Sequence, residues 1–253
     1  MRVDVALPTL VAYLLAMVRC TAWLFIAPPF GTKLVPTSVK VGLAGALTLA
    51  SGPGLALSEV RLDTFGLVAA VVSQVLVGVA LGFFALLLLS AIQAAGNLID
   101  LFAGFTMAQV YDPMSGAGAS VFGRTYQIVG TTILFVSGGH LVLVRGFVRS
   151  FEAVPLDRLT NVNAQLVTEH LGLFIVAACE IAAPVLAAMF LAEVALGLLT
   201  RAAPQLNALQ LGLPLKALLA ILLTGLALPL LPVTMDNLVR EVVRGGRMMM
   251  GTS

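Results

Sequence analysis

Residues 64–99 run for 36 positions without one charged residue or proline. A segment so long and apolar cannot lie on a water-exposed surface, and its unbroken apolar character is wrong for a strand whose faces alternate. As one helix it would be about 54 Å long at 1.5 Å per residue, whereas about 20 residues cross the roughly 30 Å of a bilayer's hydrocarbon. Two geometries remain open. Either one helix projects well beyond the hydrocarbon, or the segment turns near Ser90 and Gln93 and packs as a hairpin.

The rest of the chain points to the same solvent. Hydrophobic residues make up 60% of the 253 positions and charged residues only 10%, where soluble domains average roughly a quarter charged. Five further apolar runs lie at 8–30, 39–57, 125–144, 171–200 and 217–235. They are too long and too continuous for barrel strands, so the expected fold class is all-α, with membrane-associated long helices and helical hairpins. The first run follows Arg2 and Asp4 without a small-residue cleavage pattern and polar sequence after it, so an uncleaved membrane segment is expected instead of a signal peptide. With the long stretch taken as one crossing, terminal and even-numbered loops hold eight Lys and Arg residues against five in the odd ones, which favours both termini in the cytoplasm.

Other partners and chemistries are poorly supported. A net charge of +2 spread over short loops offers no basic stripe for nucleic acid. Cys20 and Cys179 sit in apolar runs outside any CxxC or Cys/His cluster, which argues against a disulfide framework, a metal site or a redox pair. The ionisable residues inside apolar runs are Arg19, Glu180 and Glu193, with His140 at a run's end, and such groups are functional suspects in lipid. Glu180 and Glu193 would stand about 140° apart around one helix, so they form no carboxylate pair. Pro184 leaves the Glu180 carbonyl without its helical donor, and a kink with local water is expected there. Glu193, two turns before Arg201, is placed to share a polar face with it, and structural pairing is favoured over catalysis. His140 has only His170 as a second imidazole, without metal-ligand spacing, so a capped interfacial histidine is the expectation. No Ser-His-Asp ordering, nucleotide-binding glycine pattern or metal motif occurs, and neither enzymatic activity nor a cofactor is expected.

Two features concern packing and gating. Gly78 and Gly82 form a GxxxG pair, suited to close helix approach within the chain or at a subunit seam. Residues 104–122 read GFTMAQVYDPMSGAGASVF. Asp112 and Pro113 interrupt the helix, and Gly116 and Gly118 loosen the backbone beyond them. Phe105, Met107, Tyr111 and Met114 supply bulky, adaptable side chains that can plug a passage and move aside, although a plain connecting loop has the same composition.

Several stretches together resemble the FliR family of the flagellar type III export apparatus, whose injectisome counterparts are the SctT proteins. They are APPFG at 27–31, VPTSVKVGLA at 35–44, GFTMAQVYDP at 104–113, GGHLVL at 138–143, SFEAVP at 150–155, ALGLLTRAAPQLN at 195–207 and GLPLK at 212–216. The resemblance implies a non-enzymatic export-gate subunit of the bacterial inner membrane and the flagellar basal body. Its partners would be FliP, FliQ, FlhB and FlhA, and its cargo unfolded flagellar proteins. It further implies a FliP-like part over about 1–165 and a FliQ-like hairpin and tail over 166–253, assembled largely above the membrane plane. A channel plug is implied at Phe105, Met107, Tyr111, Asp112, Pro113, Met114, Gly116 and Gly118. Subunit contacts are implied at the turn carrying Arg201, Pro204, Gln205 and Asn207. As the chain has no FlhB-like extension after Ser253, FlhB is expected as a separate chain. An injectisome gate subunit is the nearest alternative. A secondary transporter is a more distant one, since it would need broken helices in matching halves and converging ionisable groups.

Overall fold

A backbone out of reach of water must satisfy its own N–H and C=O groups, and a helix does so within one segment. The computed structural model describes residues 7–32, 35–52, 64–106, 120–156, 164–203 and 208–249, and every regular element among them is helical. The first apolar run forms α1, Leu7–Ile26, which stops ahead of Pro28 and Pro29. Helix α2, Thr37–Ala50, begins directly after Pro36 and has only 14 residues, about 21 Å of rise. Within the described part of the run at 39–57 the helix is therefore shorter than the roughly 20 residues a crossing needs. Helices α1 and α2 pack against each other.

The long stretch becomes one helix, α3, Thr64–Ala103, of 40 residues. Of its two possible geometries the hairpin is excluded: Ser90 and Gln93 lie inside continuous helix. Neither residue breaks a helix, and the bordering apolar residues favour propagation. The run at 125–144 is instead split into α4, Val121–Val136, and α5, Gly139–Ala153. Between them Gly138 has φ +73°, a left-handed conformation that glycine takes without strain.

Helix α6, Ala164–Ala202, persists on both sides of Pro184. After it come α7, Ala208–Ala227, a 3-10 turn at Leu228–Leu230 and the strongly amphipathic α8, Leu231–Met249. Among the described residues four stretches suffice, by length and composition, to cross a membrane: Pro8–Ile26, Thr64–Ala103, Thr168–Ala202 and Gly212–Met249. The interrupted α4–α5 pair makes a fifth if counted as one.

The chain divides into two compact units. The first comprises Met1–Leu88, Gly138–His170 and Leu238–Ser253. Its core includes Leu15, Trp23, Phe84, Leu88, Phe147 and Phe151. The second comprises Leu89–Ser137 and Leu171–Asn237, with Ile92, Ile99, Tyr126, Leu134, Val185 and Met235 inside. In the Thr168–Ala202 stretch only 33% of the most apolar window is buried, and in Gly212–Met249 only 28%, so both leave most of their apolar surface to lipid or to neighbouring proteins.

Candidate functional site

The site is built where α3 ends and α4 begins, at the two roots of residues 107–119. Helix α3 closes in a Schellman turn. Gly104, at φ +83°, donates to the Leu101 carbonyl at 3.3 Å, and the Phe105 N–H reaches back to the Asp100 carbonyl at 3.1 Å. The Phe105 ring meets Phe122, in the first turn of α4, edge to face at 5.8 Å.

The opposite root is held by charge. Asp100, one turn before the end of α3, is 1% exposed. Its Oδ2 accepts from the backbone N–H of Phe122 at 3.0 Å and of Gly123 at 3.2 Å, and also from the Ser120 hydroxyl. Ser120 is the N-cap of α4 and itself accepts from the Gly123 N–H at 2.8 Å. A carboxylate at a helix N-terminus satisfies donors that have no partner in the helix and faces the positive end of its dipole. These donors also offset the cost of burying the carboxylate. The close approach needs Gly96, one turn earlier on α3, since a Cβ there would stand 2.5 Å from the Phe122 carbonyl oxygen. Asp100, Phe105, Ser120 and Phe122 thus tie the end of α3 to the start of α4.

Of the residues assigned to a plug, Phe105 is placed in the turn after α3. Met107, Tyr111, Asp112, Pro113, Met114, Gly116 and Gly118 lie outside the described residues, as do Pro204, Gln205 and Asn207. Arg201 is exposed in the last turn of α6, where a cation complements the helix dipole. Gly78 and Gly82 both face α1 of the same chain. A Cβ at Gly78 would lie 2.6 Å from the Arg19 carbonyl oxygen, and one at Gly82 3.0 Å from Ile26 Cβ. The expected Glu193–Arg201 face is replaced by an ion pair of Glu193 with Lys216, which ties α6 to α7. Lys216 comes close because the chain reverses after Ala202, a tertiary fact that spacing along one helix cannot show. Glu180 is exposed on α6, and His140 sits in the first turn of α5.

The partners of two buried charges escaped sequence reasoning. Asp100 showed only as the residue that ends the uncharged stretch; the usable signal was a Ser N-cap 20 residues later, with the glycines at 96 and 123 marking a backbone crossing. Arg19 stood out as a cation inside the first span, without its partners. Its Nε donates to Gln74 Oε1 at 2.6 Å, and its terminal nitrogens donate to the carbonyl oxygens of Ser150 at 3.1 Å and Val154 at 2.9 Å. The guanidinium also lies 4.6 Å from the Phe151 ring centroid. Ser150 and Val154 end α5, so Arg19 of α1 caps the C-terminus of α5 in the first unit. Gln74 of α3 completes the arrangement by donating to the Leu156 carbonyl at 3.1 Å.

These features define an all-helical, membrane-associated protein whose buried Arg19 and Asp100 serve helix ends, and whose α6 and α7 keep most of their apolar surface for neighbours. Residues 10–242 match the family described as bacterial export proteins, family 1, and the chain belongs to that family. It is similar to the flagellar biosynthetic protein FliR of Escherichia coli (strain K12), 31% identical over 232 residues covering 91% of this chain and 89% of that protein. The protein of that name from Bacillus subtilis (strain 168) is 29% identical over 238 residues, 89% of each chain. Yop proteins translocation protein T of Yersinia pestis is 30% identical over 220 residues, 85% of this chain and 84% of that one.

Proposed function

We propose that this chain is a flagellar biosynthetic protein: a subunit of the type III protein export gate in the bacterial inner membrane, required for export of flagellar proteins. The carrying observation is the match to an export family over residues 10–242, with flagellar relatives aligned over about nine-tenths of their length. The exposed apolar faces of α6 and α7, with Phe190, Leu191, Leu198, Ile221 and Leu226 uncovered, suit a protein that completes its packing against other subunits. On this reading FliP, FliQ and FlhB, with FlhA, surround it, the turn at 201–207 meets neighbours, and the part from about 166 onward acts as a FliQ-like hairpin after a FliP-like part. The chain performs no chemistry and uses no cofactor; unfolded cargo passes with energy supplied elsewhere in the machine.

Within that gate, residues 105–118 act as the plug, and the Asp100 clamp holds the plug's roots. Deleting the gene should abolish flagellin secretion and swimming, with FliP and FliQ co-purifying with the tagged chain. Normal swimming of the deletion strain would refute the reading. Rescue of an injectisome mutant and not of a flagellar one would transfer the chain to the SctT branch. Removing residues 111–118 should raise leakage of small solutes, and unchanged permeability would reduce the segment to a connecting loop.

A further inference from the structure

The first unit contains a cavity of about 640 Å³ between α1, α3, α5 and α8. Its floor is apolar and aromatic: Trp23, Leu81, Phe84 and Phe147 line it, all buried, with the Trp23 and Phe147 rings stacked at 4.5 Å. Its rim is cationic. Arg145 and Arg149 stand one turn apart on α5, Arg247 comes from α8, and Glu152 is the one carboxylate among the lining residues. All four rim residues are exposed, so the charge faces outward over a greasy interior.

We propose that this cavity binds an anionic phospholipid, the phosphate on Arg145, Arg149 and Arg247 and the upper acyl chain over the Trp23–Phe147 floor. The net positive rim complements a phosphodiester, and arginine suits phosphate oxygens because its donors form a planar fork. A soluble anion would leave the aromatic floor unused, and a zwitterionic lipid would gain less from the rim. The volume lies within the range of small-molecule sites. The positions of these residues along their helices are also suitable. Trp23 lies three residues before the end of the first span and Arg247 two before the end of α8, where aromatic and basic side chains settle at headgroup level. Phe84 is 20 residues into α3, about one hydrocarbon thickness from Thr64.

Trp23 is the chain's single tryptophan, so its fluorescence reports this cavity alone. The full chain is reconstituted in phosphatidylcholine vesicles carrying a minor share of acyl-brominated phosphatidylglycerol or brominated phosphatidylcholine. Brominated phosphatidylglycerol should quench Trp23 at roughly a thirtyfold lower mole fraction, the preference that a net charge of two on the rim brings near a membrane surface. The Arg145→Gln, Arg149→Gln double variant should bring the two lipids to within about twofold of each other, while inorganic phosphate leaves the quenching unchanged. A parallel measurement on the co-purified assembly, by native mass spectrometry, should find phosphatidylglycerol retained by the unaltered chain and lost from the double variant. Equal quenching by both lipids would mean ordinary boundary lipid and overturn the proposal. Relief by phosphate would turn the cavity into a simple anion site. Absence of quenching and of retained lipid would mean that a neighbouring subunit fills the cavity, or that it stands clear of the membrane.

Discussion

Replacing Arg19 with methionine tests the buried cation that joins α1, α3 and α5. Arg19 is 0% exposed, so no water can take its place at Gln74 Oε1 or at the carbonyl oxygens of Ser150 and Val154. Each acceptor left unpaired in a dry interior costs about 1–3 kcal/mol, and a desolvated cation over an aromatic ring contributes about 2 kcal/mol. The opposing effect is that the variant no longer buries a guanidinium, which is costly without a counter-ion. The balance should fall near 3–5 kcal/mol of destabilisation, the range for breaking a buried charged arrangement. At about 2–4 °C per kcal/mol for a chain of this size, Tm should fall on the order of 10 °C. Trp23 emission supplies the assay, because its ring stacks on Phe147 of α5, the helix that Arg19 caps. Arg19→Lys should recover less than half the loss, since a single ammonium cannot reproduce the fork. A double-mutant cycle with Gln74→Leu should give a coupling of at least about 1 kcal/mol. Strict additivity, or a melting curve of Arg19→Met superimposable on the unaltered chain, would refute the reasoning.

Asp100→Asn keeps the shape but removes the charge at the α4 N-terminus and should cost about 1–2 kcal/mol; limited proteolysis within 107–119 should then accelerate, and an unchanged cleavage rate would argue against the clamp. Gly78→Leu should destabilise by roughly 1–3 kcal/mol or more, because even a Cβ there would collide with the Arg19 carbonyl, whereas Gly45→Ala inside α2, with nothing within 4 Å, serves as the control and should melt at or slightly above the temperature of the unaltered chain. Glu193→Gln should change stability by no more than about 1 kcal/mol, since the Glu193 side chain is 60% exposed. Exchanging the two charges as Glu193→Lys with Lys216→Glu should restore any loss; failure to restore it would show that one of the residues acts through another contact.

Much of the architecture was legible from local properties. Helices over 64–99, 171–200 and most of 8–30 follow from long apolar runs, since helical hydrogen bonding is local and needs no distant partner; the helix of the 8–30 run stops at Ile26, ahead of Pro28. The family resemblance likewise followed from ordered motifs whose residues are contiguous. Whether Ser90 and Gln93 mark a turn could not be read in advance, because a long helix and a hairpin of the same composition differ only in what packs against them. The split at Gly138 left a trace in a single glycine, and the short α2 left one in the Gly-Pro-Gly after it. The plug assignment rests on sequence, for seven of its eight residues lie outside the described part of the chain.

What the amino-acid order determined by itself was an oily, helical, charge-poor chain, because those are properties of each residue and of its neighbours a turn away. Tertiary structure alone decided where the rare charges are spent. Arg19 reaches carbonyls 131 and 135 residues downstream, Asp100 meets amides 22 and 23 residues on, and Lys216 finds Glu193 across a reversal of the chain. A buried charge is tolerated only where a helix end or an opposite charge answers it, and that answer comes from whichever distant segment packing brings within about 3 Å.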